Sequence, residues 1–397
     1  MDQAQVLAET VDIPVDLEEL LNKLIHFSME HDYSMAAWRL PDSNNTHVIL
    51  TIKPEYYQLV DSFEENGQGF IFHPFDPHQP GIFIKSDIHF VFDNGKLKTD
   101  EPLSVKAMEW LLKNIADQPG IDSKPKLPEA RAVKHPIDFL ELVQKSINQI
   151  ELGHAEKIVP SRCKAIELSP TFDIAEALVR MERAYPNALV SFVYTPKYGA
   201  WLGASPEILV AVEKNIFRTV ALAGTQPYQP GTNLKHVAWT QKEIEEQALV
   251  SRYIINCFKK IRLREFEEHG PKTVVAGNLM HLKTDFSVDM KATNFPQLGS
   301  VMLRLLHPTS AVCGTPLETT RKFLLEQEGY PREFYSGFLG PVNMQEGSYL
   351  FVNLRCTKLF ADQAWLYAGA GVTADSVPEK EWEETEMKMN TLLQVIR

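Results

Sequence analysis

The chain has 397 residues, 44 % hydrophobic and 23 % charged, the proportions of a folded protein with a sizeable core rather than a disordered one. Its formal net charge of −12 speaks against nucleic acid or an anionic membrane as a partner, and any anionic ligand must find positive charge gathered locally in a site. The opening MDQAQVLAETVDIPVD lacks a basic stretch followed by an apolar core, and no apolar run reaches the length of a membrane span, so a cytoplasmic location is expected. Cys163, Cys257, Cys313 and Cys356 are scattered, without CxxC or metal spacing, and read as reduced packing residues.

In chain order, a helix-like opening from Leu17 to Met29 gives way to strand-like runs: HVILTI from His47, GFIFHPF from Gly69 and IFIKSDIHFVFD from Ile82. A helical stretch follows around Val105 to Ile115. Residues 1–116 thus form a strand-rich N-terminal part without a catalytic constellation. Residues 117–136, DQPGIDSKPKLPEARAVKHP, are rich in proline and charge and read as an exposed connector. Residues 137–397 begin with PIDFLELVQKSINQIELG, apolar at helical spacing, and strands then alternate with helices to the end, with no short tandem repeat.

The most informative stretch is EWEETEMK. A helix there places Glu381, Glu384 and Lys388 on one face at i, i+3 and i+7. Just upstream, YAGAGVTADS is a small-residue loop whose backbone can approach an anion closely. A second acidic turn lies in QKEIEEQALV, where Glu243 and Glu246 are again three apart. Two such pairs could meet as the oxygen-rich cage that a hard cation such as Mg²⁺ requires. On spacing alone they read more simply as solvated helix faces.

Six further segments change that balance: KIVPSR from Lys157, GASPE ending at Glu207, ALAGT from Ala221, HLKT from His281, LHPTSAVCGTP from Leu306 and RCTKLFADQAWLYAGAGV from Arg355. With the acidic turns, and in this order, they resemble the chorismate-utilising enzymes: isochorismate, salicylate, anthranilate and aminodeoxychorismate synthases. The resemblance runs from about residue 135 to the end of the chain. It implies an α/β (α+β) fold in which two large, mostly antiparallel sheets stack with helices outside and the site in the cleft between them. Residues 1–116 would be the strand-rich part of the same fold, and residues 137–397 the chorismate-binding catalytic region.

Chorismate carries a ring carboxylate, an enolpyruvyl carboxylate and a hydroxyl on ring carbon 4 that must leave as a nucleophile enters at carbon 2. Such a reaction needs an acid, a base for incoming water, and cations for both carboxylates. The resemblance assigns Mg²⁺, holding the ring carboxylate, to Glu246 and Glu384, with Glu243 and Glu381 completing the shell directly or through water. Lys157 takes the place of the general base and Glu207 that of the general acid, although by themselves a lysine opening a strand and a glutamate after Ser-Pro are ordinary surface features. Gly224 lets backbone come close to the ring near the departing hydroxyl. Arg355 matches the anchor of the enolpyruvyl carboxylate, assisted by Tyr335 and the backbone around Gly369. His281 matches a histidine near the ring carboxylate, and as a lone histidine it equally suits a core position. Lys388 would orient Glu384, Arg332 reads as a structural ion pair, and Gln247 stands where many relatives have histidine.

Two departures point to water as the nucleophile. Amine-forming relatives typically have Gln in place of Lys157, and those with a nucleophilic lysine carry it where this chain has Ala223. Ala311, in HPTSAV, replaces a threonine shared by the salicylate and anthranilate types. The reading is an isomerase, isochorismate synthase, acting as a monomer on chorismate, with menaquinone and siderophore biosynthesis both open as its pathway. Salicylate synthase and a silent chorismate-binding protein are its competitors.

Overall fold

The computed structural model describes residues 17–98, 102–115, 127–130, 138–276 and 279–396. Two nine-stranded sheets dominate. The first runs Lys96–Leu97, Ile88–Asp93, Asn45–Thr51, Ser34–Arg39, Leu189–Thr195, Gly199–Ser205, Cys356–Leu359, Gln363–Gly369, Ser161–Glu167. The second runs Glu267–Ala276, Leu279–Asp289, Ile216–Pro227, Ile208–Glu213, Ser348–Val352, Phe338–Val342, Gly69–His73, Gly81–Lys85, Glu55–Tyr57. A two-stranded sheet joins Gly314–Thr315 to Lys157–Ile158. Strands from the first hundred residues complete one end of each large sheet, so those residues share this architecture. The connector read at 117–136 lies outside the described residues except for 127–130, where Ala361 N donates to Pro128 O at 3.1 Å.

The continuous apolar runs have a simple cause: their strands are covered on both faces. Met35 and Ala37 point into a core shared with the Leu17–Glu30, Ile174–Ala184 and Pro378–Ile396 helices, while Ala36 and Trp38 point the other way into the layer between the sheets. Phe70 and Phe72 enter that layer from the second sheet, while Ile71 faces the Gln241–Lys260 and Leu298–Leu306 helices. The order of layers is therefore helices, sheet, sheet, helices. Each fully buried Phe or Leu in these layers stabilises the fold by roughly 1.5–3 kcal/mol.

Local signals set the helix starts. Asp138 accepts from Leu140 N at 3.0 Å and opens Phe139–Glu151, and Asp173 accepts from Glu176 N at 2.8 Å and opens Ile174–Ala184. One strand-like run divides. Within IFIKSDIHFVFD, Gly81–Lys85 belongs to the second sheet and Ile88–Asp93 to the first, because the polar Lys85-Ser86-Asp87 breaks the apolar run and the chain crosses between layers. Such crossings matter most at two places. The chain leaves the first sheet after Gly199–Ser205 and enters the second at Ile208, with Pro206 and Glu207 between. It returns after Ser348–Val352 to Cys356–Leu359, with Asn353, Leu354 and Arg355 between.

Candidate active site

The two crossings are laced together. Val352 N donates to Glu207 O at 2.9 Å, Ala204 N to Arg355 O at 3.0 Å and Leu354 N to Ser205 Oγ at 3.2 Å, while the Ser205 hydroxyl donates to Val352 O. Glu207 and Arg355 are thereby held side by side where the sheets exchange chain. Arg355 adopts a left-handed backbone conformation, φ 47°, uncommon for a non-glycine residue and typical of functional positions. Both line a narrow cleft with Leu222, Gly224, Glu246, His281, Ala311, Tyr335, Gly369, Glu384 and Lys388. Three wider surface grooves, of about 540, 530 and 580 Å³, lie elsewhere and contain none of these residues. In the first of these the Arg39 guanidinium is already committed to the carbonyls of Leu40, Tyr185 and Pro186.

Glu207 is 5 % exposed. Burial raises its carboxyl to about 7, against the opposing pull of Lys157, Arg355 and Lys388, so near neutral pH a large fraction carries a proton. Lys157 does not open onto the cleft as a strand-end lysine would. It is 0 % exposed, and its Nζ lies 2.8 Å from Glu246 Oε1. Burial pushes Glu246 up, but Lys157, with Lys388 and Lys242, more than offsets it and keeps the carboxylate below its ordinary range. Two glycines make this arrangement possible. A Cβ on Gly314 would lie 2.3 Å from the Lys157 carbonyl, and one on Gly371 would lie 2.5 Å from Glu246 Oε1 and 3.0 Å from Lys157 Cε.

His281 is placed by its own strand pairing. Its Nδ1 lies 2.7 Å from the Gly224 carbonyl, which can only accept, so Nδ1 carries the hydrogen. Nε2 is buried without a hydrogen-bond partner among the described residues, and burial, with Arg355 nearby, lowers the ring to about 3. His281 therefore presents a lone pair, suited to a hydroxyl or water rather than a carboxylate. The Arg355 guanidinium makes no hydrogen bond or ion pair among the described residues, although burial works against its charge. Tyr335 is buried and stacks on Tyr367, ring centroids 5.3 Å apart, and a Cβ on Gly369 would sit 3.3 Å from its hydroxyl.

The four glutamates separate. Glu246 and Glu384 line the cleft, and Glu384 pairs with Lys388 at 2.6 Å, whose Nζ also donates to Gly369 O at 2.9 Å. Glu243 is drawn back into its own helix start, accepting from Thr240 N at 2.7 Å in a capping box and from Gln226 Nε2 at 3.1 Å. Glu381 is 1 % exposed behind the cleft wall and pairs with Lys242 at 2.5 Å. Among the described residues no three His, Cys, Asp or Glu side chains converge in metal-holding geometry. The set has the donor chemistry of a hard-cation site without its convergence, three of the four carboxylates being paired with Lys157, Lys388 and Lys242. All its donors are carboxylate oxygens, Glu381 Oε2 is buried without an ordinary hydrogen bond, and burial with Glu384 raises the Glu381 carboxyl despite Lys242.

Arg332 pairs with buried Glu328 and donates to Val312 O at 2.8 Å and Val159 O at 2.7 Å, bracing two wall segments from behind. Gln247 donates to Ala221 O at 3.2 Å and Thr284 Oγ1 at 3.0 Å, and so ties its helix to two strands. Sequence reasoning passed over Lys242 and Gly371. Both lie inside motifs it had marked, Lys242 one turn before Glu246 and Gly371 in the small-residue loop. All four cysteines are free and buried. No helix among the described residues is long and apolar enough to cross a membrane.

Residues 92–397 match the family described as chorismate binding enzyme, and the chain belongs to that family. Isochorismate synthase EntC of Escherichia coli strain K12 is 30 % identical over 275 residues, 67 % of this chain and 69 % of EntC. Isochorismate synthase MenF of the same strain is 23 % identical over 420 residues, spanning 97 % of this chain and 94 % of MenF. A solved structure of the Escherichia coli menaquinone-specific isochorismate synthase MenF has the same fold, with a TM-score of 0.75 at 21 % identity over 99 % of this chain and 98 % of that one.

Proposed function

We infer that this chain is an isochorismate synthase, adding water to ring carbon 2 of chorismate as the hydroxyl leaves carbon 4. The observation that carries this reading is a carboxyl with a value of about 7, Glu207, fixed in one cleft beside an uncommitted guanidinium, Arg355, and near the Lys157–Glu246 pair. Relatives that perform this reaction support the choice within the family.

Each residue has a task its environment suits. Glu207, protonated near neutral pH, donates to the departing hydroxyl, a poor leaving group otherwise. Lys157 accepts the proton of the attacking water. Arg355 offers the planar donor pair a carboxylate needs, and Tyr335 and Gly369 bound the same wall. His281 Nε2 accepts from a ring hydroxyl or water. Mg²⁺ held by Glu246 and Glu384, with Glu243 and Glu381 behind them, would supply the positive charge that neutralises the ring carboxylate. The cleft is narrow, about 60 Å³, and Glu246 and Glu384 lie in its wall.

The test is the product profile with chorismate and Mg²⁺, resolved by chromatography. Isochorismate as the product, abolished by EDTA, is the expected result. Stoichiometric salicylate and pyruvate would replace this reading with salicylate synthase, and no turnover under any condition would leave a silent chorismate-binding protein.

A further inference from the structure

Lys157 stands on the two-stranded sheet, whose strands, Lys157–Ile158 and Gly314–Thr315, have two residues each. Glu156 N donates to Thr315 O at 2.8 Å at one end of this ladder, and Val159 N to Cys313 O at 3.0 Å at the other. So short a ribbon does not fix its own geometry. What holds its ends decides where Lys157 stands relative to Ala311 and Val312, which line the cleft just before the second strand.

One side chain closes the end nearest that wall. Past the last backbone bond, the Arg332 guanidinium bridges the two segments, donating from Nη1 to Val312 O at 2.8 Å and from Nη2 to Val159 O at 2.7 Å. Its other donors face Glu328: Nε donates to Oε2 at 2.7 Å, and Nη2 to Oε1. Glu328 Oε1 in turn accepts from Ser161 N and Ser161 Oγ, both at 2.9 Å, a second hold on the segment that leads away from Lys157. The guanidinium carbon sits 4.3 Å from the centroid of the Phe75 ring, and both members of the pair are buried behind the cleft wall.

A buried ion pair adds little stability over apolar residues of the same volume, so stability alone does not account for this one. What the pair does that apolar side chains cannot is hold the carbonyls of two separate segments at a set distance, through donors in a rigid planar fork. Resting on the reading that Lys157 takes the proton of the attacking water, we propose that Arg332, held by Glu328, is a positioning residue for that step. It sets the distance between the Lys157 segment and the Ala311–Val312 wall. Its loss therefore lowers kcat and leaves the binding of chorismate, which falls to Arg355, unchanged.

The experiment measures kcat and KM for chorismate in the presence of MgCl₂, together with thermal melting, for wild type, Arg332→Lys, Lys157→Gln and the double variant. Lysine keeps the charge opposite Glu328 but lacks the fork that reaches both carbonyls. Arg332→Lys should remain folded at the assay temperature, lose roughly 10- to 100-fold in kcat, the cost of displacing a catalytic group by about 1 Å, and keep the wild-type KM. On the Lys157→Gln background the same substitution should cost nothing further, because an effect carried by Lys157 disappears with it. Wild-type kcat in folded Arg332→Lys, a loss that appears in KM instead of kcat, or an undiminished loss on the Lys157→Gln background overturns the proposal. Should Arg332→Lys fail to fold, Glu328→Gln/Arg332→Met, which removes both charges, is measured in its place with the same expectation. If that variant also fails to fold, the pair is a stability element and the proposal falls. If Lys157→Gln itself keeps wild-type turnover, the reading of Lys157 falls, whatever Arg332 does.

Discussion

Replacing Glu207 by Gln should make the protein more stable in base and nearly inactive. The carboxyl rises from its ordinary 4.5 to about 7 because folding buries it. The folded state therefore holds this proton more tightly than the unfolded chain. That contribution is complete below pH 4.5 and is lost as pH rises through about 7, above which a buried carboxylate must be kept charged. At about 1.4 kcal/mol per unit, the shift corresponds to roughly 3 kcal/mol. Gln cannot ionise, so Glu207→Gln should melt close to wild type at pH 5 and higher at pH 8.5. For a chain of 397 residues the difference is roughly 4 °C. Turnover should fall about 100-fold or more, because a positioned proton donor is typically worth 10² to 10⁴. Wild-type kcat/KM should itself decline above about pH 7 as Glu207 loses its proton. The assays are melting by circular dichroism at the two pH values and initial rates of isochorismate formation at saturating Mg²⁺. A variant that melts lower than wild type at pH 8.5, or that keeps wild-type turnover, refutes the reasoning.

Three further outcomes follow from the cleft. Glu246→Gln and Glu384→Gln should each raise the Mg²⁺ concentration for half activity, since an amide is a weaker ligand for a hard cation; unchanged metal dependence in both would return these residues to a purely structural role. Gly371→Ala places a methyl 2.5 Å from Glu246 Oε1, so the Lys157–Glu246 pair must part and turnover should drop by about 100-fold with the melting temperature nearly unchanged; wild-type rates would show that the pair tolerates displacement. Ala311→Thr adds a methyl and a hydroxyl to the cleft wall and should slow isochorismate formation without altering the Mg²⁺ requirement, as read from the product profile at varied metal. A variant indistinguishable from wild type would remove Ala311 as a determinant of which product forms.

Much of this protein was legible in its residues alone because the signals are local. Helical spacing around Leu142 and Ile147, the capping Asp138, and the covered strand HVILTI require only near neighbours along the chain, and the ordered motifs from Lys157 to Lys388 identify the family by short strings. What spacing could not resolve was which of two equivalent glutamates faces the ligand. Glu243 and Glu246 lie on one helical face, as do Glu381 and Glu384, and spacing alone treats the members of each pair alike. Tertiary structure separates them: Gln226 and the helix start claim Glu243, Lys242 claims Glu381, and the Gln241–Lys260 and Pro378–Ile396 helices bring Glu246 and Glu384 to the Glu207 and Arg355 that the sheet crossings hold. The burial of Lys157, the raised carboxyl of Glu207 and the single lone pair of His281 belong to the same class of fact. The sequence by itself determined the secondary elements, the family and the inventory of charged groups, since these depend on residue type and near neighbours. Only the tertiary structure decided which of those groups are desolvated, which are paired and which remain open to a ligand, because each depends on partners from distant strands and helices.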